Sequence, residues 1–188
     1  RGRLVPQDPN DEPASLLLDR IRVQKQQMVK EGKLKAKDIK NDTIIFKGED
    51  NLHYEQFQNG TVKCIENEIP FETPESWAWA RLRTISFDLP YGTSKKSSSN
   101  GKIAVLRMGN LQNGEIDYSD LVYSSDEEDI KKYSLIKGDL LFNRTNSIEL
   151  VGKTSVYRGD IPAIYAGYLI RIRSSLNSEY LNTVMNSS

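Results

Sequence analysis

From Lys102 onward the chain is a succession of short apolar runs broken by turn residues: KIAVLRMGNL, GEIDYSDLVY, GDLLFNRT, KTSVYRG and AGYLIRIRS. No run is long enough for a buried helix. YLIRIR alternates apolar and polar side chains, as a half-buried strand does. The pattern therefore demands strands joined by polar loops, with a curled mixed sheet as the expected core. SDEEDIKKYSL interrupts it as a short predicted helix, with Ser124 or Ser125 as its cap.

The first part of the chain follows a different rule. PNDEPASLLLDRIRVQKQQMVKEGK reads as a helix of about 28 Å. Asn10 or Asp11 is placed to cap it, Glu12 and Pro13 suit its first turn, and Glu31-Gly32 mark its end. Ala14, Leu17, Ile21, Gln24 and Met28 fall at alternating spacings of three and four. Such a narrow seam suits pairing with another helix. A basic connector, KLKAKDIKND, leads to three short predicted strands in TIIF, LHYEQF and TVKCI. Asn59-Gly60 is the hairpin turn between the last two. Pro70 and Pro74 forbid regular structure in IPFETPESWAWARL, and Trp77 and Trp79, two apart, would share a face of an extended chain. The whole is α+β: a long helix, then a β-rich domain. The expected divisions are 1–38 for the helix region, 39–72 for the connector and hairpin, and 73–188 for the β-rich domain.

Composition closes several routes to function. With one cysteine, Cys64, and one histidine, His53, neither an internal disulfide nor a Cys/His zinc site can be assembled, and no Ser/His/Asp set is readable. The single thiol fits a reducing cytoplasm, where the protein is expected. No window approaches a membrane span. Lys plus Arg and Asp plus Glu both number 26, so the net charge is zero. The charges are segregated, however, and a neutral protein with segregated charge can still present a basic face.

Two near-miss motifs require a decision. SIELVGKT, Ser147 to Thr154, fits the P-loop pattern except for Ser147 in place of the first glycine. A working P-loop opens a helix whose amides hold phosphate. Here GKT runs into SVYRG, a strand pattern, which argues against nucleotide binding. DLPY, Asp88 to Tyr91, approaches the [DN]-P-P-[YF] motif of amino-methyltransferases, but Leu89 replaces proline and no glycine-rich turn for a methyl donor is present.

What remains is a set of polar loops at strand ends. YGTSKKSSSNG offers Thr93, Ser94, Lys95 and Lys96. LRMGN offers Arg107 and Asn110. FNRTNS offers Asn143, Arg144, Asn146 and Ser147, and Lys153 follows in the GKT turn. Arginine can fork onto guanine, asparagine can bond adenine through two hydrogen bonds, and Ser, Thr and Lys hold phosphates. The same residues also serve as ordinary turn formers.

GRLVPQDPNDEPASLLLDRI, IPFETPESWAWARL, YGTS, LRMGNLQNGEID and YSLIKGDLLFNRTNSIELVGKTSVY occur in this order. Together they resemble the specificity subunit of type I restriction–modification systems. Only the segment from about Lys40 to Glu68 matches no phrase of that family. The resemblance implies a subunit with two target recognition domains, each reading one half of a split site in double-stranded DNA, separated by long helices that set the spacing. It implies methyltransferase subunits that methylate adenine with S-adenosylmethionine, and motor-nuclease subunits driven by ATP with Mg. The catalytic parts and cofactors would lie in those partners, leaving this chain without an active site or cofactor of its own.

On this reading the helix is a spacer and the segment from about Glu75 begins the second recognition domain. The chain is expected to be a fragment, with that domain incomplete and the helix seam open to self-association. Alternatives are the specificity segment of a fused methyltransferase–endonuclease and, remotely, a degenerate P-loop or methyltransferase enzyme.

Overall fold

The computed structural model describes residues 6–145 and 149–187. The chain divides into two compact units, residues 1–87 and 88–188. The architecture is α+β.

In the first unit the helix α1 runs from Ala14 to Lys30, 17 residues or about 26 Å. It is a mid-length helix, shorter than the long spacer expected. Its stop is local. Gly32 takes a positive φ of 71°, and the amides of Lys33 and Leu34 both turn back to the Met28 carbonyl at 2.9 and 3.1 Å. That left-handed exit satisfies helix-end carbonyls and fits glycine. Pro13, not Asn10 or Asp11, occupies the N-cap, and no side chain caps the helix. The short helix α2 (Ala36–Ile39) leads into the antiparallel meander β1 (Ile44–Lys47), β2 (His53–Gln56) and β3 (Val62–Cys64). Gly60, at φ 82°, makes the predicted Asn-Gly turn between β2 and β3.

The interior of this unit is polar as well as apolar. Ile21 and Lys25 of α1 are both buried. The Lys25 ammonium meets Asp42 Oδ2 at 2.5 Å and donates to the Arg83 and Thr84 carbonyls at 3.0 and 3.2 Å. Arg83 and Thr84 belong to α3 (Leu82–Ile85). Arg81, just before α3, forks onto the buried Glu55 of β2 at 2.9 and 2.6 Å and reaches Glu68 at 2.7 Å. Glu55 also accepts from Thr43 Oγ1 at 2.6 Å. His53 bonds Glu66 through both its backbone amide and Nδ1, at 2.8 and 2.7 Å. The strand β4 (Ser86–Asp88) carries the chain out of the first unit and into the second.

The second unit is built from strands of two to six residues, arranged in several small sheets where a curled mixed sheet was expected. In one sheet β9 (Leu140–Asn143) pairs antiparallel with β10 (Thr154–Val156) and β12 (Leu169–Ser174). In another, mixed in direction, β5 (Ile103–Leu106) lies between parallel β11 (Ala163–Tyr165) and antiparallel β8 (Val122–Ser124). A two-residue ribbon joins β6 (Leu111–Gln112) to β7 (Glu115–Ile116). Leu106, Leu111, Leu141, Tyr165 and Leu169 form the fully buried centre. β5 is buried at every position, so its apolar run IAVL has no polar alternation to show.

Two helices complete the unit. α4 (Glu127–Tyr133) is capped by Asp126, whose side chain accepts from the Asp129 amide, rather than by Ser124 or Ser125. α5 (Ser178–Asn186) is capped by Asn177 and packs on β10. There Asn182 Nδ2 bonds the Gly114 carbonyl and Asn186 Nδ2 the Thr154 carbonyl, at 2.9 and 3.0 Å. No helix among the described residues is long and apolar enough to cross a membrane.

Candidate nucleic-acid interface

The polar loops singled out in the sequence fall into three clusters of the second unit. The first surrounds the start of α4. Thr93 is buried and its hydroxyl donates to Asp129, while it accepts from the Lys95 amide at 3.0 Å. Lys95 reaches Asp126 at 2.7 Å and lies 3.6 Å from Asp129. The Asp126 carboxylate beside it holds its ammonium above the usual lysine range. Ser94 and Lys96 are exposed. Lys96 has no carboxylate partner among the described residues.

The second cluster follows β5. Asn110 is buried and saturated: its Oδ1 accepts from the Arg107 amide at 2.8 Å, and its Nδ2 donates to the Asp117 and Asp120 carbonyls at 2.8 and 2.9 Å. Both N–H donors are taken and the side chain is buried, so it holds the loop together. Arg107 ion-pairs with Asp120 at 2.7 Å.

The third cluster closes the loop between β9 and β10. Asn143 is fully buried; its Nδ2 donates to the carbonyls of Thr145 and Leu150 at 3.0 and 2.7 Å, and its Oδ1 accepts from the Thr145 amide at 3.3 Å. Its backbone amide bonds the Lys153 carbonyl at 2.9 Å, and its carbonyl receives the Gly152 amide at 2.8 Å. Asn143 is thus the staple of the loop. The GKT stretch has all three amides engaged: Gly152 donates to the Asn143 carbonyl, Lys153 to the Leu150 carbonyl and Thr154 to Asn186 Oδ1, at 2.8, 3.3 and 3.4 Å, and Thr154 is the first residue of β10, opposite Phe142. No helix follows, so the cradle a P-loop needs is missing. Lys153 is half-buried. Asn146 and Ser147 lie outside the described residues.

Arg144 differs from every other arginine of the second unit. Arg107, Arg158, Arg171 and Arg173 each have a carboxylate partner. Arg144 pairs with none among the described residues; its guanidinium carbon lies 4.4 Å from the centre of the Tyr91 ring. An aromatic face attracts the cation without using up its N–H donors. Tyr91 escaped notice in the sequence because it ends DLPY, a phrase weighed as a methyltransferase motif. In the fold that phrase is dispersed: Asp88 accepts from Arg171 at 3.0 Å, and the Pro90 carbonyl accepts from the Arg171 amide at 3.1 Å.

The helix seam is also divided. Ile21 is buried in the first unit, Ala14, Leu17 and Met28 are half-buried, and Gln24 is exposed; Leu16 and Val23 stand out in solvent instead.

These features define an α+β chain whose polar loops sit at strand ends. The chain is similar to type I restriction enzyme specificity subunits, to one of them along nearly its whole length. It is 31% identical to the Type I restriction enzyme EcoAI specificity subunit of Escherichia coli over 191 residues, which cover 99% of the chain. Over 86 residues, 46% of the chain, it is 42% identical to the Type I restriction enzyme EcoEI specificity subunit of the same organism. The chain spans 28% of the length of the first relative and 11% of the second. No protein-family model matches the chain.

Proposed function

We propose that this chain is a DNA-recognition segment of a type I restriction–modification specificity subunit, and that residues 88–188 read one half of a bipartite site. The observation that carries the proposal is homology to the EcoAI specificity subunit along 99% of the chain. In this reading the chain performs no chemistry. It holds double-stranded DNA while methyltransferase subunits modify adenine with S-adenosylmethionine, and motor-nuclease subunits, using ATP and Mg, join through the complex. The helix α1 serves as a spacer, and its outward residues Leu16 and Val23 give a second copy or a partner helix something to cover.

The physics of the grip favours division of labour among the loops. Lys95 and Arg107 are already neutralised by carboxylates, so they would add little attraction for a phosphate. Lys96, Arg144 and Lys153 have no carboxylate partner among the described residues, and each phosphate contact they make would release counterions. Asn110 and Asn143 shape the loops from inside. Ser94 and Lys96, on the exposed SKKSSSNGK stretch, are the better placed to meet base edges.

Titration of the chain, alone and with its methylation partner, into labelled duplex tests the proposal. Saturable binding that weakens linearly with the logarithm of salt supports it. Absence of duplex binding in both settings contradicts it.

A further inference from the structure

The geometry points to Tyr91 as a positioning residue: its ring holds the Arg144 guanidinium, whose carbon lies 4.4 Å from the ring centre and which has no carboxylate partner among the described residues, so that its N–H donors remain for two coplanar acceptors on DNA. This rests on the DNA-recognition reading above and adds a residue that the sequence did not single out for it.

Both members of the pair stand on fixed backbone. Tyr91 forms a β-bridge to Ile170 of β12. On one side of it, the Pro90 carbonyl is held by the Arg171 amide. On the other, Gly92 lies so close to the β11 backbone that a Cβ there would sit 2.1 Å from the Tyr165 carbonyl oxygen. No other residue fits without moving the chain. Arg144 directly follows Asn143, which is locked by its three side-chain hydrogen bonds and by pairing with Leu169.

On this rigid edge a large aromatic is left 52% exposed. A buried core role does not explain it. The stack gives Arg144, which has no carboxylate partner among the described residues, a surface to rest on. A free arginine would lose rotamer entropy on meeting its target, whereas one held on a ring has lost part of it beforehand. The acceptors that match a planar fork are two phosphate oxygens or the O6/N7 edge of a guanine.

The test is a mutant cycle on the full chain, with melting temperature as the control for folding. Arg144→Ala should weaken duplex binding about tenfold. Tyr91→Leu should weaken it about threefold, Tyr91→Phe should restore it, and Tyr91→Leu should have no further effect once Arg144 is alanine. Methylphosphonate and 7-deazaguanine duplexes then tell a phosphate from a guanine edge as the acceptor. If Tyr91→Leu leaves binding unchanged, or weakens it equally in the Arg144→Ala background, the positioning role is overturned. Failure of the recognition reading looks different: the unmutated chain itself does not bind. Even then the ring-current shift of the Arg144 guanidinium protons, lost in Tyr91→Leu, reports whether the stack forms in solution.

Discussion

Lys25 and Asp42 form an ion pair inside the first unit, Nζ to Oδ2 at 2.5 Å, with both side chains almost wholly shielded from water. Burial pushes the Asp42 carboxyl up and the lysine pulls it back down, the burial effect being the larger. The second carboxylate oxygen, Oδ1, has no hydrogen-bond partner among the described residues. Lys25 therefore does more than fill space on α1. It neutralises an acid that has nowhere else to turn, and it ties α1 to the carbonyls of Arg83 and Thr84.

Replacing Lys25 by methionine should cost about 3–5 kcal/mol, because the carboxylate is left buried without its cation. Lys25→Met combined with Asp42→Asn should recover part of that loss. Urea unfolding followed by tryptophan fluorescence measures it in the correct place, since the only two tryptophans, Trp77 and Trp79, belong to the first unit.

Glu55 gives the first unit an acid limit. The Arg81 guanidinium, forked onto Glu55, holds its carboxyl below the usual glutamate range, with Thr43 adding to the effect. A lowered folded-state pKa contributes stability that is complete above the unfolded value, about 4.3, and is lost as pH falls through the folded value. Stability by tryptophan fluorescence should therefore drop on acidification below about pH 4. Glu55→Gln should remove that component, flattening the acid limb, and should lower stability at neutral pH by about 1 kcal/mol, a figure kept small by the partial exposure of Arg81.

Asn143→Ala should destabilise the second unit by about 1–3 kcal/mol, since it takes the side-chain donor from the Thr145 carbonyl and leaves the Leu150 carbonyl with only the longer bond from the Lys153 amide, 3.3 Å. Hydrogen exchange should show faster amide exchange at Gly152 and Thr145 than in the unmutated chain. Unchanged protection there would mean that the loop is held by something other than this side chain.

Lys153→Ala should weaken duplex binding to a similar extent on all sequences and reduce the slope of log affinity against log salt by about one. Binding isotherms at four or five salt concentrations, on two unrelated duplexes, measure both quantities. A loss confined to one base position would reassign Lys153 from phosphate to base contact.

Local rules carried the sequence reading where structure is local. The Asn59-Gly60 turn, the three strands around it and the strand following GKT all depend on turn chemistry and period-two alternation, which a single sequence displays. The caps were misjudged because Pro13 and Asp126 lie one to three residues from equally suitable Asn, Asp and Ser side chains, and only the fold chooses among them. The helix seam hid its buried lysine because a period-based reading expects apolar residues at buried positions; Lys25 is tolerated only because Asp42 arrives from a distant connector. The candidate site was legible in composition but not in role. Asn110 and Asn143 look like base readers in the sequence, yet their amides are used up by carbonyls of their own loops. Tyr91 gives no sequence signal for its pairing, because Arg144 reaches it across a β-sheet rather than along the chain.

The central claim is that residues 88–188 choose the DNA sequence of one half-site. The most direct measurement is a map of methylated adenines on a plasmid, made by the full-length subunit carrying this chain together with its methylation partner. The map should then be repeated after exchanging residues 88–188 for the matching segment of a relative. The account predicts a split motif of which one half changes while the other half is kept. An active assembly whose methylated motif is identical before and after the exchange would contradict it.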